Sequence, residues 1–328
     1  MFNTLVSVKR ITPKKLITQI NANYYFGVGL FSVLLVANII SNPATFDSSN
    51  LAVTIGFAAP IIIGAFAVTP TFLMGNGGID LSVGPVMGLV NVIVVYQFVA
   101  RFGITSPLVL IPVAIIVGML IGLINGLIVA FVRIQSIVAT LGMYLICSGL
   151  AFFIAPTPGG ESPQWMIDLG GRLSIFPIVF VLVFWRLLRK LPFYEHLMAY
   201  GGDDRAVYTS GISVNGLRIG AFILGGFFSG IGGLSLSGVL GSADPSVGPH
   251  YTMLAISAVA LGGTSLAGGR GGMFSAILGS LTIYLLQNLL TFWNVSNYLL
   301  EIFYGLVLVI AVAVNGQVGS LIKRLASR

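Results

Sequence analysis

Residues 106–131 read SPLVLIPVAIIVGMLIGLINGLIVAF, an apolar run without a single charged side chain. A helix needs about 20 predominantly apolar residues to cross a bilayer, and this run is long enough. Similar runs lie on both sides of it along the chain. We therefore predict an all-α polytopic membrane protein with about ten transmembrane helices, at residues 24–40, 51–73, 84–100, 106–131, 135–154, 173–189, 217–239, 251–267, 271–291 and 297–315.

The composition excludes a water-soluble enzyme. Of the 328 residues, 56% are hydrophobic and 8% are charged, and the mean hydropathy is +1.01. Soluble domains carry about 25% charged residues. Cys147 is the single cysteine, and the chain has two histidines. We therefore expect no disulfide, no metal site and no cofactor on this chain.

The basic residues predict the orientation in the membrane. An even number of spans places both ends of the chain on one side, and all of the 16 Lys and Arg residues except Arg101 and Arg172 then fall on that side. Cytoplasmic segments carry such an excess of basic residues. We expect a single transmembrane domain over residues 1–328, with both termini cytoplasmic. Its soluble parts would be a cytoplasmic tail at 1–22, an external loop at 155–172 and a cytoplasmic loop at 190–216.

Two sequence patterns involve small residues. Glycines at four-residue spacing occur in two runs, at Gly118, Gly122, Gly126, Gly226 and Gly230. Such spacing lets helix backbones approach closely, and we favour packing within the chain over a dimer interface. The pattern G-G-x-x-L-x-x-G occurs at 77–84 and again at 262–269. Transporters often contain repeats with glycine-interrupted segments, but glycine-rich turns also coincide by chance, and we favour chance over a true duplication.

The cytoplasmic loop contains a further predicted helix. Residues 197–212 read LMAYGGDDRAVYTSGI, and the helix would start after the two glycines. Asp203 and Asp204 fall where helix N-termini favour capping residues and anions, and Gly211 would end the helix. The spacing alone leaves two interpretations, a docking element for a partner and an ordinary linker.

These residues resemble a known family. The segment 197–212 is similar to the G-G-N-x-x-A-A-x-x-S-G-I coupling loop of membrane permeases from the ribose-type branch of ATP-binding-cassette (ABC) importers. Three other stretches resemble the remaining motifs of those permeases, and they read GIDLSVG at 78–84, ATLGM at 139–143 and AISAVALGGTSLAGGRGG at 255–272. The four motifs occur in the family's order and extend over most of the chain.

The resemblance implies a permease subunit of the bacterial cytoplasmic (inner) membrane that carries a small polyhydroxylated solute, a monosaccharide or a polyol. Its partners would be two cytoplasmic ATPase subunits, which hold ATP and Mg²⁺, a second permease copy or close paralogue, and an external solute-binding protein. By the same resemblance, the coupling helix that sits in a groove of the ATPase is formed by Gly201, Gly202, Asp203, Asp204, Arg205, Ala206, Ser210 and Gly211.

The chain itself lacks a phosphate-binding loop. Gly263 and Gly268 have the glycine spacing of such a loop, but Gly269 and Arg270 follow where Lys and Ser or Thr are required. We therefore expect the chain not to be an enzyme, with ATP hydrolysis on a separate partner.

Polar residues within or beside the apolar runs are candidates to line a translocation pathway, because unsatisfied polar groups are costly in hydrocarbon. The candidates are Asp80, Ser82, Asn91, Asn125, Thr140, Tyr144, Gln287 and Asn288. Each has a second interpretation, since amides and hydroxyls also tie helices together. Asp80, in a segment predicted to be broken or re-entrant, would either hold the backbone amides of its own loop or contact sugar hydroxyls.

Two alternative functions stay open. An ion-coupled secondary transporter of a small polar solute needs titratable groups deep in the membrane, and Asp80 alone is placed to act as one. An importer of the same type for a nucleoside-like solute would share every motif. Import rather than export is implied by the resemblance alone.

Overall fold

The protein is a bundle of α-helices. The computed structural model describes the backbone of residues 13–326 and, within them, the side chains of residues 24, 26–296 and 298–313. In this part of the chain there is no β-strand, only an isolated antiparallel bridge between Gly159 and Ala243. The helices are α1 Pro13–Ser41, α2 Leu51–Met74, α3 Val83–Asn91, α4 Pro107–Leu127, α5 Ser136–Ile154, α6 Gln164–Gly170, α7 Ile175–Leu188, α8 Pro192–Gly202, α9 Asp204–Thr209, α10 Val214–Leu240, α11 Gly248–Leu261, α12 Met273–Phe292 and α13 Asn297–Ala326.

Two of these helices are lengthened by π-helical turns, α3 by Val92–Arg101 and α4 by Ile128–Val132. With these turns included, six helical segments among the described residues are long and apolar enough to cross a membrane. They are Leu51–Met74, Val83–Arg101, Pro107–Val132, Ser136–Ile154, Val214–Leu240 and Met273–Phe292. The pair α6 and α7, bent by 72° at a short break, makes a seventh if it is taken as one broken span.

The remaining predicted spans are shorter as helices. The apolar parts of α1 and α13 cover Phe26–Ser41 and Tyr298–Ala313, and α11 has 14 residues. The all-helical membrane fold is thus confirmed, while the number of ten spans stays a prediction. The tail at 1–22 lies mostly outside the described residues.

One predicted boundary is wrong. The apolar run at 251–267 was expected to be helical throughout, but α11 ends at Leu261. Gly263 has a φ of +90°, a backbone conformation that favours glycine and interrupts a right-handed helix. The backbone of Gly262 also lies so close to that of Ser275 that a Cβ atom would overlap it. The residues that follow therefore form a tight loop rather than another helical turn.

Helix α10 occupies the centre of the bundle, where it packs against α2, α3, α4 and α6. Its glycines face those of α4: a Cβ atom on Gly118 would overlap the carbonyl oxygen of Gly226, and a Cβ atom on Gly226 would overlap that of Gly118. Gly230 lies in the same way against Ala114. The predicted packing of the glycine spacings within the chain is confirmed, because the two backbones are in direct contact.

An aromatic cluster joins α2, α7 and α10. Trp185 is fully buried, with its ring centroid 5.3 Å from that of Phe66 and 5.9 Å from that of Phe228. Such pairs add about 0.5–1.5 kcal/mol beyond the buried area. On its other side, Trp185 meets the ring of Tyr194 in α8, with 6.0 Å between the centroids. The cluster therefore fixes the start of the 190–216 region against the bundle.

The loops collect at two ends of the bundle. At one end, Gly159 pairs with Ala243, the Ser162 amide donates to the Gly241 carbonyl at 2.9 Å, and the Trp165 indole donates to the Thr105 carbonyl at 2.8 Å. At the other end, which we call the coupling end, the loops at 75–82 and 262–272 and the 190–216 region come together. The Gly269 amide, for example, donates to the carbonyl of Leu73, the penultimate residue of α2, at 3.0 Å.

Candidate coupling surface and polar network

The predicted coupling segment forms two short helices, α8 and α9, where one had been expected. The side chain of Asp203 separates them and caps α9: its Oδ1 accepts hydrogen bonds from the amides of Arg205 and Ala206, both at 3.1 Å. Capping satisfies amides that have no partner inside the helix. Gly211 has a φ of +79°, which lets the chain turn after α9. Both predictions for the ends of this helix are confirmed.

The two glycines before the cap differ in their surroundings. A Cβ atom on Gly201 would overlap the Leu73 carbonyl oxygen and the Gly269 amide, which are hydrogen-bonded to each other. A Cβ atom on Gly202 would have no atom within 4 Å. Gly201 is therefore a close-packed contact between three backbone segments, whereas Gly202 faces open space.

This contact, which we call the glycine junction, contains Gly75, Gly201, Gly268 and Gly269. A Cβ atom on Gly268 would lie 2.5 Å from the Cα of Gly75 and 2.8 Å from the Cα of Gly201. The end of α2 and the loop at 262–269 therefore both contact α8 at this junction. These three segments are far apart in the sequence, and no pattern in it predicts that they meet.

The coupling segment has further attachments to the bundle. Leu197 and Tyr200 of α8 are 1% exposed, and the Asn76 side-chain amide donates to Asp204 Oδ2 at 3.1 Å. Burial raises the pKa of the Tyr194 phenol, and the nearby Arg189 guanidinium opposes this shift. In contrast, Asp203, Asp204, Arg205 and Ala206 are exposed. The segment is thus anchored on one side and presents a polar surface on the other.

A cleft of about 660 Å³ lies beside this surface. We call it the arginine cleft, and its charged and aromatic lining consists of Arg133, Tyr200, Asp204, Arg205, Tyr208 and Arg218. Arg133 follows the last turn of the α4 extension with a φ of +60°, and Arg218 lies in the second turn of α10. Sequence reasoning placed these arginines on one side of the membrane but missed that they converge, because they are far apart in the chain.

Four of the predicted pathway residues form one buried network. Asp80 Oδ1 accepts hydrogen bonds from the Ser82 amide at 2.9 Å and the Ser82 hydroxyl at 2.6 Å. The Asn125 side-chain amide donates to Ser82 Oγ at 2.9 Å. Thr140 Oγ1 accepts from the Leu81 amide at 3.1 Å. All four side chains are at most 2% exposed, so the network holds the segment after α2 between α4 and α5.

The other four pathway candidates lie elsewhere. Asn91 donates to Ser237 Oγ at 2.9 Å and accepts from the Asp244 amide at 2.9 Å, at the end opposite the coupling end. Asn288 Oδ1 accepts from the Thr45 hydroxyl at 3.3 Å. Tyr144 and Gln287 are half-buried. Four of the eight candidates therefore lie together in one network, and the other four lie at separate positions.

Most of the chain is similar to known transport proteins. The family model described as branched-chain amino acid transport system / permease component matches residues 50–312. The chain belongs to this permease family. Among curated relatives of the permease, the ribose import permease of Haemophilus influenzae is 32% identical over 308 residues, which are 89% of this chain and 93% of the relative. The ribose import permease of Bacillus subtilis is 33% identical over 88% of this chain and 91% of its own length.

A third relative of the permease is named for another sugar. The L-arabinose ABC transporter permease protein of Azospirillum brasilense is 32% identical over 76% of each chain. No solved structure gives a significant match to the permease. Among its described residues, no three His, Cys, Asp or Glu side chains are grouped so that they could hold a metal ion.

Proposed function

We propose that this chain is the membrane permease subunit of an ABC importer for a monosaccharide or a related small polyhydroxylated solute. The observation that carries the proposal is the family membership, with ribose import permeases similar over about nine tenths of both chains. The permease works in the bacterial cytoplasmic membrane. ATP is hydrolysed by separate ATPase subunits, and an external binding protein delivers the solute.

The coupling role of residues 201–211 is part of this proposal. Its support is the combination of an exposed polar surface at 203–206 with a rigid attachment at Gly201. When the ATPase subunits close, α8 and α9 would move with them. Because the glycine junction joins α8 to the loops after α2 and α11, the displacement would reach both helices at once. The bundle would then open outward to accept solute and return inward after hydrolysis, as a two-state equilibrium biased by nucleotide.

We also propose ten membrane-crossing segments with both termini cytoplasmic. The positions of the loops support this topology. The loops that ten alternating spans would place inside lie at the coupling end, wherever their contacts are described. The loop at 155–172, which the same spans would place outside, lies at the opposite end. Helices α7 and α11 would cross the membrane together with the irregular segments next to them. A protease site or glycosylation tag placed in the 155–172 loop, compared with one in 209–213, tests the orientation directly.

The pathway candidates keep their proposed role, with a condition. In this conformation Ser82, Asn125 and Thr140 are at most 1% exposed, so solute reaches them only when α3, α4 and α5 separate. A Thr140→Cys variant would therefore react with a water-soluble thiol reagent in one nucleotide state and resist it in the other. Leu145, which is 64% exposed in the same helix, is the matched control position, and its reactivity should not change with the nucleotide state. We propose that the complete pathway lies between this permease and a second copy or paralogue.

The proposal is tested by mass spectrometry of the complex purified with this chain in mild detergent. We expect two ATPase subunits with two permeases, at least one of them this chain, and ATP-dependent uptake of a sugar after reconstitution with the binding protein. A chain that purifies alone and takes up solute in ATP-free vesicles under an ion gradient would refute the proposal in favour of a secondary transporter. Uptake of a nucleoside in place of a sugar would change the solute class alone.

A further inference from the structure

The arginine cleft carries an excess of positive charge that this chain does not neutralise. Arg133, Arg205 and Arg218 line it, and no carboxylate oxygen of the described side chains lies within 4.0 Å of their guanidinium nitrogens. Asp204, the acidic residue of the lining, accepts a hydrogen bond from Asn76. All nine Asp and Glu residues of the sequence belong to the described part of the chain. No Asp or Glu side chain of this chain therefore pairs with the three arginines, and the cleft is suited to an anion from another molecule.

One of the three guanidinium groups is held in place for binding. Arg218 Nε and Nη2 donate to the Tyr200 hydroxyl at 3.0 and 2.7 Å, and the guanidinium carbon lies 5.8 Å from the centroid of the Tyr200 ring. Tyr200 itself is 1% exposed and cannot move freely. Both acceptors on this side are neutral, so the charge of Arg218 stays available. A planar, pre-oriented guanidinium is well suited to bind two oxygens of one phosphate group.

The backbone adds to the positive potential. The cleft includes Ser213, Val214 and Asn215, which form the cap and first turn of α10. The N-terminus of a helix carries a partial positive charge and unpaired amides that favour anions. Ser213 Oγ accepts from the Gly216 amide and the Ser213 carbonyl accepts from the Leu217 amide, which leaves the amides of Val214 and Asn215 at the open end of the helix. The charges of three arginines and the N-terminus of α10 thus add to the positive potential in the same cleft.

The position of the cleft points to the membrane as the source of the anion. Arg133 directly follows the membrane-crossing segment Pro107–Val132, and the next candidate span on the other wall starts at Val214. Phe131 and Val132, just before Arg133, are 64% and 63% exposed and offer apolar surface to acyl chains. The cleft therefore lies at the level where headgroups meet the ends of the spans. Basic pockets between helix ends on the cytoplasmic side bind acidic lipid headgroups.

The geometry points to the arginine cleft as a binding site for the phosphate of an anionic phospholipid in the cytoplasmic leaflet. The site goes beyond the transport function proposed above and does not depend on which solute is carried. Because Tyr200 and Asp204 belong to the coupling segment, a lipid bound there would join the ends of α4 and α10 to α8 and α9. Anionic lipid would thus stabilise the coupling segment against the bundle.

The test measures lipid binding to the full-length chain in mild detergent by native mass spectrometry, with phosphatidylglycerol as the probe and phosphatidylcholine as the neutral comparison. We expect selective retention of phosphatidylglycerol, weakened about tenfold or more in the Arg133→Gln/Arg205→Gln double variant. Arg133→Lys/Arg205→Lys keeps the charges and should retain most of the binding. Arg270→Gln removes an exposed arginine of the coupling end outside the cleft and is the matched control.

A measurement on the wild-type chain keeps the proposal testable if the double variant does not fold. Phosphatidylglycerol should slow amide hydrogen exchange in residues 200–218, and phosphatidylcholine should not. Equal binding by the double variant, or an equal loss in Arg270→Gln, would overturn the proposal. Displacement of the lipid by millimolar inorganic phosphate would instead assign the cleft to a soluble phosphate compound. If the double variant no longer binds the ATPase but keeps its lipid affinity, the arginine cleft is a contact for the partner protein.

Discussion

Gly201 and Gly202 are neighbours in the sequence, yet we expect opposite results when each is replaced by alanine. In Gly201→Ala, the new Cβ atom would lie 3.1 Å from the Gly268 carbonyl carbon and closer still to the Leu73 oxygen and the Gly269 nitrogen. Carbon atoms pack at about 3.5–4.0 Å, so the three backbone segments have to separate. In Gly202→Ala the new atom enters open space.

The cost of Gly201→Ala has two parts. Overpacking of a rigid contact costs about 1–3 kcal/mol, and we expect the upper half of that range because the nearest atoms all belong to the backbone. The hydrogen bond between the Gly269 amide and the Leu73 carbonyl, 3.0 Å long, lies where the methyl group would enter. Loss of such a bond where water cannot replace it costs about 1–3 kcal/mol. Gly202→Ala should be neutral or stabilise the chain by about 0.4–1 kcal/mol.

The assay compares both variants with the wild type in thermal unfolding and in ATP-driven uptake after reconstitution with the partner subunits. Gly201→Ala should unfold at a lower temperature and transport poorly. Gly202→Ala should keep both properties, unless the ATPase itself contacts this residue, in which case uptake alone falls. Equal unfolding temperatures for the two variants would refute the reasoning, because the close contact at Gly201 would then carry no energy.

Three further predictions concern other contacts. Asp80→Ala should destabilise the protein by about 1–3 kcal/mol, because two donors of Ser82 lose their acceptor, whereas Asp80→Asn keeps an acceptor oxygen. Uptake by Asp80→Asn should depend on pH as it does in the wild type. An altered pH dependence would favour proton coupling. Asp203→Ala should lower the free energy of unfolding by about 1 kcal/mol and speed amide hydrogen exchange at the start of α9, whereas Asp203→Asn should keep the cap. Identical exchange in the two variants would contradict the capping role. Gly226→Ala should lower the unfolding temperature by overpacking α4 against α10. Gly142→Ala should not lower it, because a Cβ atom there meets nothing within 4 Å. Equal effects of the two substitutions would contradict the direct backbone contact.

Much of the fold follows from the sequence because each step depends on neighbouring residues. A long apolar run has to be helical in a bilayer, since no water is available to satisfy its backbone groups. The glycine spacings in α4 and α10 mark surfaces where two backbones can touch, and they do meet each other. The cap at Asp203 is local as well, because the carboxylate reaches amides two and three residues further on.

The structural features that were not predicted from the sequence depend mainly on contacts between distant segments. Gly201 and Gly202 are the same residue type, and their surroundings differ because the end of α2 and the loop at 262–272 both pack against Gly201. Arg133 and Arg218 of the arginine cleft are separated in the chain by α5 to α9. The distribution of basic residues places both on one side of the membrane but does not predict that they meet. The end of α11 at Leu261 was missed because the prediction followed hydrophobicity through residue 267, although the pair Gly262-Gly263 is a turn signal.

The central place of α10 has a consequence for how the protein is made. Its contacts with α2, α3 and α4 involve bare backbone on the α4 side, at Gly118 and its neighbours. During synthesis those earlier helices enter the membrane first, and their partner follows only after residues 133–213 have been translated. Until then the glycine face of α4 is covered by lipid chains, which must be displaced when α10 arrives. We therefore expect the N-terminal half to complete its packing only after α10 has been inserted.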